Sequence, residues 1–295
     1  MSSFVSQLAA LLPDVVHNAE GRLTLRPRSA SEVVTVVRVA NDTATPLEVP
    51  GGAEQTDRPL LQLNALSDVD KGDTASMVLR AEAGAPLAEI EQSAQAQGWT
   101  LGLPEAVHPM QLGAWLAAGA SGRIDKANDP VPQNVAGLDL VTPTGELLQI
   151  RAAPRRAVGP DLIRASIGAR GRLGVIVAAA VVARRATTEE PRQLSFGDAQ
   201  GARDALRWMQ GHGVRPLSAT VRGNDLTLVL ASSAVTASAV DEVVKRAVSQ
   251  FGGSVSADSS APSATEAVPS STAVFDVLAA ELDPKGILQP DSANT

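Results

Sequence analysis

The feature that most constrains what this chain can fold into is a series of glycine turns, each placed at the end of an apolar run. Pro46–Val49 ends in Pro50-Gly51-Gly52, and Ala81-Glu82-Ala83-Gly84 ends a strand-like run ahead of a helix. Leu112-Gly113-Ala114-Trp115 opens a helix that Gly119-Ala120-Ser121-Gly122 closes. Gly168-Ala169-Arg170-Gly171-Arg172-Leu173-Gly174 follows a short helix and precedes the apolar run Leu173–Ala183. Glycines in such turns let backbone amides approach a bound anion with no Cβ in the way. A Rossmann fingerprint needs a strand before its glycines and a helix after them. The order at Gly168–Gly174 is the reverse, which excludes that reading.

Composition narrows the chemistry. Aromatic residues are 2% of the 295, with no Tyr, so the core must be built from Ala, Val and Leu and no phenol can act in catalysis. Without cysteine there is no disulfide, thiolate or Cys-ligated cluster. A net charge of −7 argues against a nucleic-acid surface, and the basic cluster at Arg151–Arg156 with Arg164, Arg170 and Arg172 is local. No apolar run reaches transmembrane length and no signal-peptide pattern opens the chain, so a cytoplasmic protein is expected.

Periodicity and punctuation place the elements. A helix over Val33–Ala40 is capped at Ser29 or Ser31, a strand at Ser76–Glu82 leads to a helix over Pro86–Gln97, and Met110–Ala118 is helical. Val135–Val141 and Leu147–Ile150 form a hairpin about Pro143–Glu146, Asp161–Ser166 is a short helix and Leu173–Ala183 a buried strand. Beyond Arg185 come a helix at Ala199–Gly211, a hairpin about Gly223-Asn224-Asp225 and a helix at Val240–Phe251. The stretch Ser254–Ser271 has almost no apolar bulk and reads as a disordered linker before a last helix, Ala273–Leu282.

Taken together and in this order, the glycine blocks, Leu103-Pro104, Val135–Glu146, Ile167–Ile176 and the closing Leu282-Asp283-Pro284-Lys285-Gly286-Ile287-Leu288-Gln289-Pro290 resemble the vanillyl-alcohol-oxidase (p-cresol-methylhydroxylase) flavoprotein family. Within it the chain is most similar to the FAD-binding E subunit of glycolate oxidase. The resemblance covers residues 26–185 and the tail. It implies an α+β fold: a two-subdomain vanillyl-alcohol-oxidase-type FAD-binding domain with a reduced α+β cap. The boundaries implied are 1–190 for the FAD-binding domain, 191–253 for the cap, 254–272 for a flexible linker and 273–295 for a helix and tail returning to the FAD domain.

The resemblance also implies a cofactor, FAD, held non-covalently. Its contacts would be Pro50, Gly51, Gly52, Ala53, Glu54 and Gln55 in the first turn, then Leu103 and Pro104. Gly113, Ala114, Gly119, Ala120, Ser121 and Gly122 would form the second loop, and Gly171, Gly174, Val175 and Ile176 the last. No histidine lies in the first glycine turn to carry a covalent flavin, and no histidines are paired at metal-ligand spacing. His108, just before the second loop, is a turn or surface residue on the plainer reading and a cofactor contact on the other. No catalytic base is evident, and about sixty residues of cap are too few to enclose a substrate. The function implied is therefore the FAD-binding subunit of a glycolate-type 2-hydroxy-acid dehydrogenase. Catalysis would lie mainly in a larger flavoprotein partner, an iron–sulfur subunit would take the electrons, and those partners could hold the protein at the inner membrane face. Glu54, Ala114 and Ala169, which replace the family's usual small or hydroxyl residues, support an alternative: an FAD-free structural or assembly subunit on a degenerate flavoprotein fold.

Overall fold

The structure, a computed structural model, describes residues 2–19, 22–52, 57–103, 107–120, 135–153, 161–186, 188–232, 237–256 and 272–288. Of the expected cofactor contacts, Ala53, Glu54, Gln55, Pro104, Ser121 and Gly122 lie outside the described residues. The chain divides into two compact units, one of Met1–Gly122, Val131–Arg184 and Thr265–Thr295, the other of Arg123–Pro130 and Arg185–Ala264.

The first unit opens with a helix that the sequence reading did not anticipate, α1 (Ser2–Leu11), whose Phe4 and Leu8 are fully buried. Strands β1 (Val16–Ala19) and β2 (Arg22–Leu25) follow as an antiparallel pair. Helix α2 (Ala30–Asp42) starts at an N-cap: the Ser29 hydroxyl accepts from the Glu32 amide, and the Glu32 carboxylate reaches back to accept from the Arg28 amide. Its Val33, Val36, Val37 and Ala40 recur at helical spacing and face the core. Pro46–Val49, expected as a strand, makes only a single parallel bridge, Glu48 to Leu60. Strand β3 (Leu60–Leu61) lies parallel to β2 and completes a three-stranded sheet.

The second sheet is antiparallel. Strand β4 (Val78–Glu82) leads to α3 (Leu87–Gln95), the short β5 (Trp99–Thr100) and α4 (Leu112–Ala117). Strands β6 (Val135–Val141) and β7 (Leu147–Ile150), helix α5 (Leu162–Ser166) and strand β8 (Val175–Val182) follow, in the sheet order β4-β8-β6-β7. One face carries Leu79, Ala81, Leu138, Ala179 and Val181 and packs with Ile90 of α3 and Trp115 and Leu116 of α4. A bulge between Asp139 and Leu140 shifts the register, so Val175 and Val177 join Val36 and Leu61 in a second cluster instead. The two clusters share β8, and this joins the two sheets of the unit. Trp99 and Trp115, two of the chain's three tryptophans, are core residues.

Strand β9 (Arg184–Arg185) marks the division, and β10 (Thr188–Ser195) opens the second unit. That unit continues α6 (Ala199–Gly211), β11 (Ser218–Arg222), β12 (Asp225–Ser232), α7 (Ala237–Gln250) and β13 (Ser254–Ser256). The sheet order β11-β12-β10-β13 makes a complete antiparallel βαββαβ, ferredoxin-like unit. This corrects two expectations. The cap begins near residue 185, because β10 straddles the expected 190/191 boundary. The linker cannot begin at Ser254, because Ser254, Val255 and Ser256 pair with Ser195, Leu194 and Gln193. Leu194, Leu226 and Leu228 are fully buried under α6 and α7, so the sheet has an apolar core of its own.

The chain returns to the first unit with α8 (Thr272–Leu282). Asp283, 1% exposed, then accepts from the amides of Ile287 (3.0 Å) and Leu288 (2.8 Å), and the Ile287 carbonyl accepts from Leu47.

Candidate functional site

The first glycine turn is held at its root from several directions. Glu48 forms an ion pair with Arg22, its amide donates to Pro59 and its carbonyl accepts from Leu61. The chain leaving β-bridge geometry at Val49 turns back at once, with the Gly52 amide donating to the Val49 carbonyl at 3.0 Å. Gly51 adopts φ +77, in the left-handed region. A Cβ there would lie 2.7 Å from the Ala117 methyl and 2.8 Å from the Ala114 carbonyl oxygen, so the turn sits directly against α4. Only glycine satisfies both the dihedral and the approach.

The other two segments meet it. At its start α4 is docked on the turn after β4, with Leu112 donating to Ala85 and Gly113 to Ala83. At its end the Leu116 and Ala117 carbonyls accept from Gly168 (3.0 Å) and Arg170 (2.8 Å). A Cβ on Gly52 would be 3.2 Å from the Arg170 carbonyl, and one on Gly171 would run into Val49. Three stretches far apart in sequence, 50–52, 113–120 and 168–174, thus form one cradle whose walls are backbone. Two of its members, Ala120 (φ 51) and Arg170 (φ 52), hold left-handed backbones without being glycine. Such conformations persist where the surroundings over-determine them and cluster at ligand sites.

Not every expected contact has an anion-facing role. The Gly113 amide is committed to Ala83, and a Cβ at Gly174 would meet the Val141 carbonyl at 2.6 Å, so both serve close packing. Val175 and Ile176 point into the two core clusters, leaving only their backbone for a ligand. Leu103 is 9% exposed. Ala169, where the family's hydroxyl is missing, packs with Leu173 and with Ala279 of α8, which accounts for a small apolar side chain there.

Sequence reasoning missed two carboxylates that support the site. Glu91, 5% exposed on α3, accepts from the Thr100 hydroxyl (2.6 Å) and the Leu101 amide (2.8 Å) and fixes the approach to Leu103. Asp283 locks the tail beneath Leu47, three residues before the first turn. Nothing local marks either as buried. A cavity of about 850 Å³ over the other face of the second sheet is lined by Val78, Arg80, Asp139, Ala178 and Ala180 and is separate from the cradle. Among the described residues there is no cluster of three or more His, Asp or Glu able to hold a metal, and no helix is long and apolar enough to cross a membrane.

The glycines let the three segments approach one another main chain to main chain, with no Cβ between them. Residues 22–151 match the family model described as an FAD binding domain. The FAD-linked oxidoreductase YgcU of Escherichia coli (strain K12) is 28% identical over 162 residues, 53% of this chain and 33% of that protein. The alkyldihydroxyacetonephosphate synthase of Caenorhabditis elegans is 26% identical over 178 residues, 56% of this chain and 28% of its own length. A solved alkyldihydroxyacetonephosphate synthase superposes with a TM-score of 0.70 at 18% identity, covering 86% of this chain and 62% of that one. The chain therefore spans about a third of the curated relatives it matches.

The architecture is the α+β fold of p-cresol-methylhydroxylase-type FAD-binding proteins. FAD is the cofactor of this chain.

Proposed function

We propose that this chain is the FAD-holding subunit of an oxidoreductase acting on a 2-hydroxy acid, similar in kind to the E subunit of glycolate oxidase. The cradle formed by Gly51–Gly52, α4 and Gly168–Gly171 carries the reading, because it brings together the glycine segments that the resemblance assigns to the FAD diphosphate. Its support on the substrate side is a D-2-hydroxyglutarate dehydrogenase of Xanthomonas citri pv. viticola, 32% identical over 165 residues, 52% of this chain and 34% of that protein. FAD held there would supply the two-electron redox chemistry, and the protein would supply placement and electrostatics.

The second unit is a bare βαββαβ fold, and no catalytic base is evident in the sequence. The main turnover is therefore assigned to a larger flavoprotein partner, with an iron–sulfur subunit as electron acceptor. Steady-state assay of the purified single chain with glycolate, lactate and 2-hydroxyglutarate tests the assignment. No turnover above background is expected until the partner is added, and robust turnover by the chain alone would contradict it.

A further inference from the structure

The walls of the cradle are neutral main chain, and much of that main chain is already committed. The amides of Gly52, Gly113, Gly168, Arg170, Arg172 and Gly174 all donate to protein carbonyls. The end of α4 that meets the late turn is its C-terminal end, where Leu116 and Ala117 offer carbonyl oxygens and the peptide dipoles leave partial negative charge. A diphosphate is negatively charged on both phosphoryl groups, so such walls hold it best with a cation beside them.

The described segments of the cradle, 50–52, 113–120 and 168–174, carry two charged residues, Arg170 and Arg172. Arg172 is half-buried and already engaged within the protein. Arg170 differs. Its backbone is part of the wall: the amide is bound to Ala117 at 2.8 Å, and the carbonyl lies 3.2 Å from where a Cβ on Gly52 would stand. Its side chain is exposed, and its guanidinium makes no ion pair or hydrogen bond with another described residue. The neighbouring positions serve packing, with Ala169 against Leu173 and Ala279 and Gly171 against Val49. The backbone at Arg170 is left-handed, φ 52, a conformation that glycine adopts without steric cost. The chain therefore keeps a long, exposed cation where backbone geometry alone would favour glycine, as happens at ligand sites.

We propose that Arg170 is a cofactor-binding residue, its guanidinium pairing with the FAD diphosphate and supplying the positive charge that the main-chain walls lack. Guanidinium and phosphate match in shape as well as charge, since paired planar N–H donors meet two phosphoryl oxygens. The exposed side chain can take up that role without breaking an existing contact. The proposal rests on FAD binding at the cradle. It carries a signature that a merely structural arginine would not: Arg170→Gly should relieve the left-handed backbone and leave the apo-protein no less stable, while weakening its hold on FAD.

The test is FAD titration over a range of salt concentrations, followed by flavin absorbance and fluorescence, with thermal unfolding of each apo-protein and phosphorus NMR of the bound cofactor. Arg170→Gln and Arg170→Gly should each raise the Kd for FAD about tenfold and flatten its salt dependence, with the apo Tm of Arg170→Gly unchanged or higher. Arg170→Lys keeps the charge and loses the paired donors, so it should recover part of the affinity and most of the salt dependence. The phosphorus resonances of bound FAD should shift between the wild type and Arg170→Gln. Arg164→Gln controls for net charge, since Arg164 is exposed on α5 and pairs with Asp161, and it should bind FAD as the wild type does. If Arg170→Gln binds FAD as tightly as the wild type, with the same salt dependence and unmoved phosphorus resonances, the proposal is overturned. An equal loss of affinity in Arg170→Lys and Arg170→Gln at unchanged salt dependence would place the effect in the turn and not in the charge, and would also overturn it. Failure of the wild type itself to take up FAD would be a different result, refuting the cofactor site on which the proposal stands.

Discussion

Arg170 donates its backbone amide to the carbonyl of Ala117 at 2.8 Å. This bond ties the late glycine turn to the end of α4, and α4 carries on its side the close contact with Gly51. Each of the three cradle segments is therefore shaped by the other two. Damage to one should be felt as loss of cofactor as well as loss of stability.

Gly51→Ala tests this coupling. The substitution places a methyl 2.7 Å from that of Ala117 on a backbone at φ +77. We expect a loss of about 2 kcal/mol in denaturant unfolding from steric and dihedral strain. FAD affinity should fall by more than the stability of the remaining folded protein explains. A variant that binds FAD as the wild type does would show that the turn does not shape the site.

Asp283→Ala should be among the more damaging changes outside the cradle. The carboxylate is 1% exposed and accepts from two amides, Ile287 and Leu288. Its removal leaves both without their acceptor, at a cost of about 2–4 kcal/mol. Faster amide exchange at Leu47, whose donor bond goes to Ile287, would report release of the tail. Unchanged exchange would place the tail's anchorage elsewhere.

Asp73 gives a pH dependence with a defined sign. The Ser76 hydroxyl at 2.6 Å, then the Ala75 amide, hold the exposed Asp73 carboxyl below its ordinary value. A group whose pKa is lowered on folding contributes stability above its unfolded value and loses it as pH falls through the folded value. Asp73→Asn should therefore lower stability at neutral pH, where the contribution is fully present, with the difference from wild type closing as pH falls through the folded value. An NMR titration placing Asp73 at or above its ordinary value would contradict the geometry.

Gentle purification of the native protein should bring down a larger flavoprotein, with an iron–sulfur protein beside it. A lone chain accompanied by neither would defeat the subunit assignment while leaving the fold untouched.

The legible parts of this chain were those whose signal is local. Ser29 and Glu32 announce the start of α2, and the helix at Ala199–Gly211 is found where its periodicity predicts. The glycine blocks were legible through their order, and at Gly51 and Gly171 the left-handed backbone and the close approach of neighbouring atoms explain the glycine. The central strand β10 was obscured by its charges and by Pro191. The structure accommodates that proline because β13 covers only Gln193–Ser195, leaving residue 191 beyond the end of that ladder. Strand β13, Ser-Val-Ser, carries too little apolar content to stand out from the Ser- and Ala-rich stretch after it. Glu91 and Asp283 read as surface carboxylates because burial of a charge depends on amides supplied by other parts of the fold.

The central claim is that the backbone cradle of Gly51–Gly52, α4 and Gly168–Gly171 binds FAD. The most direct measurement is the visible absorption spectrum of the purified chain after incubation with excess FAD and removal of the unbound cofactor. The account predicts a retained flavin spectrum that denaturation releases as free FAD and that Gly52→Asp abolishes, since a carboxylate at that turn would face the diphosphate. A protein that stays colourless after this treatment would contradict it.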